Sequence, residues 1–289
     1  MINDYLIRGI TKDKHLRFFG VYALETLSTA IDFHYLSITN SVALGRLLIS
    51  GLLMGATLKN QEDKLTLRID GDGPLGTLLI TTCGNNTIKG YVQNPQVELP
   101  MNEKGFAIAE GIGNGYLNVI KSFPDSPPYN SQTELITSEI GDDISHYYNL
   151  SEQIDTVLNL GLLINKDASV RQAGGFLIQC LPDTPLSVIE KLKANIDKFP
   201  NLSDFMDMGH SIDYILEKHI FASIPIEILD QKPVKYHCDC DRDKFFRGIM
   251  LLEKKEIQEM IEANEPIEAH CYFCNKKYKF DVDELRVVG

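Results

Sequence analysis

An α+β fold is expected of this 289-residue chain, because its strand-like and helix-like segments come in groups instead of alternating regularly. Two stretches carry that reading. Residues 65–69, 78–82 and 88–92 have strand-like apolar patterns, separated by Gly71-Asp72-Gly73-Pro74 and Gly84-Asn85-Asn86, which suits an antiparallel meander. After Leu181 the pattern becomes helical and polar, and the last quarter holds two close cysteine pairs.

In chain order, residues 5–10 and 16–23 read as strands joined at Lys12-Asp13-Lys14. Ser41 is a candidate cap for a long apolar helix running to Leu58, its hydroxyl accepting from a first-turn amide. Strands are expected at 116–121, 133–136, 158–164 and 175–181, with a helix at 142–148. Thr184-Pro185 marks a helix start, and Ile189, Leu192, Ile196 and Phe199 then share one face before Pro200. Ser203 is a further start signal, and Ile212, Ile215, Leu216 and His219 form a second stripe. The expected organisation is an α+β core domain over 1–181, a helical linker over 182–232 and a small C-terminal metal domain over 233–289.

Composition narrows function. Apolar residues make up 44% and charged residues 24%, as in globular proteins, and the formal charge is -12. Such a balance argues against non-specific nucleic-acid binding and against an anionic membrane surface. The most apolar run, 42–58, contains Arg46 and is short for a membrane span, so a buried core helix is expected. Residues 1–17 carry charges throughout and have no leader-like apolar core. The cytoplasm, where thiols stay reduced, is therefore the expected compartment.

Cys238-Asp239-Cys240 and Cys271-Tyr272-Phe273-Cys274 lie thirty residues apart. Four soft sulfur ligands suit one tetrahedral zinc ion, whereas iron–sulfur spacings place three cysteines in one compact run. A module this small buries little apolar surface, so the metal should supply much of its stability. His237 and His270 flank the pairs but are not needed to fill the shell. Lys235, Arg242, Lys276 and Lys277 are candidates to temper its negative charge. From Pro233 onward, ten Lys plus Arg stand against twelve Asp plus Glu, unlike a basic nucleic-acid ribbon. Cys83 and Cys180 stand apart and read as buried inert thiols.

Spacing alone leaves two readings: zinc as a permanent staple of an interaction adaptor, or a redox sensor whose thiolates lose the metal on oxidation. Motif statistics favour the staple. A third reading, thiol–disulfide exchange at Cys271-x-x-Cys274, lacks a thioredoxin-like βαβ context. There is no Walker-type phosphate loop and no recognisable nucleophile–base motif, and turn geometry accounts for Gly71-Asp72-Gly73.

The cysteine arrangement resembles that of the redox-regulated 33-kilodalton heat-shock chaperonin family. So do Gly71-Asp72-Gly73-Pro74, Gly113-Asn114-Gly115-Tyr116, Ser151-Glu152-Gln153 and Ala173-Gly174-Gly175-Phe176, in that order. The resemblance spans essentially the whole chain and favours the sensor over the staple. It implies an ATP-independent holdase, not an enzyme, inactive while reduced with one zinc per chain on Cys238, Cys240, Cys271 and Cys274. It further implies Cys271–Cys274 and Cys238–Cys240 disulfides on oxidation, linker unfolding, an active homodimer, and unfolding client proteins as partners. Cys83 and Cys180 lie outside the family motif.

Overall fold

The chain begins with β1 (Tyr5–Thr11), β2 (Leu16–Tyr22), α1 (Leu24–His34) and α2 (Ile38–Gly55). There follow β3 (Lys64–Gly71), β4 (Leu78–Cys83), β5 (Thr87–Val92), α3 (Ile108–Ile112), β6 (Gly115–Phe123) and β7 (Ser126–Glu134). Next come α4 (Gly141–Tyr147), a π-turn at Tyr148–Glu152, β8 (Thr156–Ile164) and β9 (Val170–Cys180). This computed structural model describes residues 3–101 and 105–286. The strands form two sheets with mostly antiparallel neighbours, and the fold is α+β.

Helix α2 is predominantly apolar around its circumference, and every residue but Ile38 and Arg46 is buried. It packs on β3, β4 and β5 of one sheet and on β2, β8 and β9 of the other. Arg46 escapes burial and pairs with Glu139. The helix is long and apolar enough to span a membrane, but 89% of that window is buried within the protein. Its cap is Ser37, not Ser41: the Ser37 hydroxyl accepts from Asn40 N at 3.2 Å, while Ser41 is fully buried one turn later. Ser37→Ala should lower stability by about 1 kcal/mol, read from the denaturation midpoint.

One element is not read from the sequence, and another departs from the sequence expectation. Helix α1 has no local capping side chain; the buried Asp4 carboxylate accepts from Glu25 N and Thr26 N instead. A cap twenty residues away leaves no nearby signal. Strand β7 lies mostly before the strand expected at 133–136, sharing only Thr133 and Glu134 with it, and opens on Ser126-Pro127-Pro128, which an edge strand tolerates.

Residues 182–232 fold into α5 (Leu186–Ile196), α6 (Leu202–Asp207), α7 (Ile212–Ile215), a π-turn at Leu216–Ile220, and β10 (Ile226–Pro233). Thr184 is not the cap of α5; Pro185 takes that position, and the Thr184 hydroxyl bonds to the His15 and Leu181 carbonyls. The connector's end is thus a strand, pairing with β1 from Tyr5↔Pro233 to Thr11↔Ile226. Its apolar stripes cover the outer face of the sheet β10-β1-β2-β9-β8. There Leu192, Met206, Ile212, Leu216 and Phe221 are buried with Ile7, Phe18 and Phe176. After β11 (Lys235–Tyr236), which adds to the sheet β11-β5-β4-β3-β6-β7, the first of two units ends at His237. The expected boundaries at 181/182 and 232/233 both fall inside this unit.

Glycines explain how three layers come so close. A Cβ on Gly175 would lie 2.8 Å from Ile49 Cγ2 of α2, whereas one on Gly174 would lie 2.9 Å from Met206 Sδ of the connector. A Cβ on Gly20 would lie 2.5 Å from Ile212 Cγ2. Alternation along β9 therefore opens one glycine to each layer. The Gly71–Pro74 and Gly113–Tyr116 segments are also architectural. The Asp72 carboxylate accepts from Asn114 N at 2.7 Å, and Gly73 N donates to Ile112 O at 2.8 Å.

Glu152 joins α4 to the six-stranded sheet, accepting from Tyr147 Oη and from Lys121 Nζ at 2.5 Å. Burial opposes its ionisation, but these hydrogen bonds outweigh burial and hold its carboxyl below the ordinary 4.5. A depressed folded pKa stabilises above the unfolded value and is lost as pH falls through the folded one. Glu152→Gln should therefore destabilise at neutral pH by about 1.5–3 kcal/mol. The difference from the parent should shrink below the ordinary glutamate pKa, as denaturation midpoints across pH would show.

Candidate metal centre

The second unit, residues 238–289, contains α8 (Arg242–Ile249), α9 (Lys254–Ala263), β12 (Ile267–His270), β13 (Lys277–Phe280) and α10 (Val282–Arg286). Cys238 and Cys240 precede α8, whose cap Asp241 accepts from Lys244 N at 2.7 Å. Cys271 and Cys274 occupy the loop of the β12–β13 hairpin, which is registered from Ile267↔Phe280 to His270↔Lys277. That loop is closed by Cys271 N donating to Lys276 O and Asn275 N to Cys271 O, both at 2.9 Å. Asn275 takes the left-handed backbone at φ 61°, which asparagine tolerates.

This arrangement brings all four sulfurs within 4.8 Å of one another. Cys238 Sγ lies 3.7 Å from Cys271 Sγ, and Cys240 Sγ lies 3.3 Å from Cys274 Sγ. A tetrahedral zinc with about 2.3 Å bonds to sulfur would space its ligands about 3.8 Å apart, so the donor set fits that ion. Cys271 and Cys274 are buried, while Cys238 and Cys240 are half-buried. Burial pushes the Cys238 thiol up to about 11 and raises Cys274 further. For Cys240 burial pulls the same way, but hydrogen bonds from Tyr278 and the neighbouring thiols win, and its value falls.

Neither flanking histidine enters the quartet: the His270 ring bonds to Asn275 Oδ1, and His237 belongs to the first unit, where its N–H donates to Ile88 O. Of the four cations expected to temper the site, two have carboxylate partners and a third belongs to the first unit. Arg242 pairs with Glu284 and stacks over Phe280, Lys277 pairs with Glu268, and Lys235 lies in β11 of the first unit. Two unforeseen side chains meet the Cys238–Cys240 segment. Lys244 Nζ reaches Asp239 O at 2.5 Å, and Tyr278 Oη stands 3.2 Å from Cys240 Sγ. The strand pattern at 278–280 registers an aromatic there, but only the hairpin reveals which sulfur it meets.

Cys83 and Cys180 end β4 and β9, outside the quartet. Both are half-buried and not fully buried as expected, since strand ends leave one side open. Burial still pushes the Cys180 thiol up, away from the reactive thiolate.

Residues 4–281 match the family described as Hsp33 protein. A 33 kDa chaperonin of Agathobacter rectalis is 38% identical over 286 residues, covering 99% of each chain. One from Acetivibrio thermocellus is 38% identical over 285 residues, covering 98% of this chain and 96% of the relative. The crystal structure of the 33 kDa chaperonin (heat shock protein 33 homologue) from Thermotoga maritima superposes with a TM-score of 0.90 at 33% identity. That match covers 99% of this chain and 98% of the other. By whole-chain sequence and fold alike, this chain belongs to the Hsp33 chaperonin family.

Proposed function

We propose that the protein is a redox-regulated, ATP-independent holdase of the cytoplasm that binds unfolding proteins after its zinc-site thiols are oxidised. The observation that carries the reading is the gathering of Cys238, Cys240, Cys271 and Cys274 in a unit with a thin apolar core. Ile249, Phe280 and Leu285 form its buried cluster. Bound zinc would hold the sulfurs as thiolates and supply folding free energy of order 10–16 kcal/mol. Peroxide would then take two electrons from each pair, closing Cys271–Cys274 and Cys238–Cys240 and leaving as water.

The fold supports a route from sensor to effector. The chain passes from Tyr236, whose hydroxyl bonds to Gly90 O at 2.8 Å, directly into Cys238. Just upstream lies the connector, whose stripes face a continuous apolar sheet surface. Release of residues 182–232 would expose both surfaces, and apolar area of that kind binds unfolding chains and favours a homodimer. The negative charge favours protein clients over nucleic acid or an anionic membrane. No enzymatic step is part of this reading.

The alternative is a constitutive zinc-stapled interaction adaptor, which the thin core of 238–289 also suits. Zinc release and suppression of thermal aggregation of a model client, each measured before and after peroxide, separate the two. The holdase should protect only after oxidation. Equal protection in both states would establish the staple.

A further inference from the structure

Tyr278 lies on β13, its ring packed on Phe245 of α8 with centroids 4.9 Å apart. Its hydroxyl has two acceptors at nearly equal reach: Cys240 Sγ at 3.2 Å and Cys240 O at 3.1 Å. A phenol has one proton, so it donates fully to one of them at a time. When Cys240 is a thiol, its S–H can donate to the phenol oxygen while the phenol donates to the carbonyl. When Cys240 is a thiolate, the sulfur only accepts, and its charge draws the phenol proton. The hydroxyl thus responds to the state of one sulfur through a pair of contacts in one residue.

Resting on the holdase reading above, we infer that Tyr278 is the positioning residue that restrains Cys240, strengthening its hold on metal and slowing its oxidation relative to Cys271. The chemistry follows from donation to the thiolate. A hydrogen bond withdraws density from the sulfur lone pair that must attack an oxidant, and nucleophilicity falls with basicity. In the step affected, Cys240 sulfur attacks one peroxide oxygen, the O–O bond breaks, and sulfenic acid and hydroxide form. The Cys238 thiolate then displaces hydroxide from that sulfenic sulfur, giving the disulfide. Two electrons pass from the sulfur pair to peroxide, and the two oxygens leave as water after taking up two protons. The same donation orients Cys240 Sγ within the quartet, as outer-shell partners do for metal ligands.

Tyr278→Phe keeps the ring against Phe245 and removes only the hydroxyl. In the reduced, zinc-loaded full-length protein, competition with a chromogenic chelator should show about tenfold weaker metal affinity. Timed peroxide exposure, quenching by differential alkylation and mass spectrometry should show Cys240 oxidising about 3–10-fold faster, with Cys271 as the internal reference. Replacing Tyr278 with 3-fluorotyrosine, a stronger donor assayed at neutral pH, should move both readouts the opposite way. This second variant decides the matter if Tyr278→Phe loses its fold. Unchanged chelator competition and an unchanged Cys240-to-Cys271 rate ratio would overturn the inference. If the parent protein instead keeps its metal under peroxide, the redox reading fails, while the chelator comparison still decides whether Tyr278 holds Cys240.

Discussion

Stripping metal from the reduced protein with a high-affinity chelator should melt residues 238–289 and leave 1–237 folded. Among the described residues of 238–289, only Ile249, Phe280 and Leu285 are buried in the core cluster, each contributing about 1.5–3 kcal/mol, whereas a structural zinc site supplies ~10–16 kcal/mol. Around them Phe245, Phe246, Met260 and Ile261 pack only partly buried, and Leu251 is exposed. The first unit has its own extensive core around α2. Hydrogen exchange followed by mass spectrometry should therefore show full exchange in α8, α9 and the hairpin, with protection retained in α2 and β9. Retained protection in the hairpin after the metal is gone would overturn the role given to the quartet. Cys274→Ser should reproduce the chelated state without a chelator.

The second large effect concerns the connector. Gly20→Val should lift it from the sheet in the fully reduced protein, because even the first added carbon meets Ile212 Cγ2 at 2.5 Å and Leu216 Cδ1 at 3.0 Å. Overpacking of this kind costs about 1–3 kcal/mol. It falls on short helices, which have little stability apart from their packing. Limited proteolysis should then cut within 202–221, and, on the holdase reading proposed above, the reduced variant should suppress client aggregation more than the reduced parent. Gly175→Ala provides the contrast, since its Cβ would press on Ile49 and Leu53 of α2 and strain the shared core. That variant should lower overall stability without selectively freeing the connector. Equal behaviour of the two would mean that the connector's cover is not what restrains binding.

Much of this was legible in the sequence because the signals were local. The meander followed from apolar patterning between turns, and the linker helices from apolar stripes with Pro185 and Pro200 as punctuation. The spacing of the cysteines also pointed to the cluster in which Cys238, Cys240, Cys271 and Cys274 come together. Signals failed where a partner lay far along the chain. Helix α1 is capped by Asp4, β7 is an edge strand with little inward face, and Ser37 displaced Ser41 once Val97 and Asn40 joined its hydroxyl. The carboxylate partners of two cations near the cysteines were likewise unseen, since Glu284 pairs with Arg242 and Glu268 with Lys277.

By itself the sequence determined the cysteine donor set, the α+β class and the separation of a cysteine-bearing end from an apolar body. Thiolate softness and hydrophobic periodicity are properties of residues and short spacings. Only the tertiary structure decided that 182–232 lies as a cover on a glycine-floored sheet, ending in a strand that belongs to it. Only there, too, does Tyr278 meet Cys240 and not another sulfur. Those outcomes depend on distances between segments far apart in the chain, which close packing sets and no local pattern records.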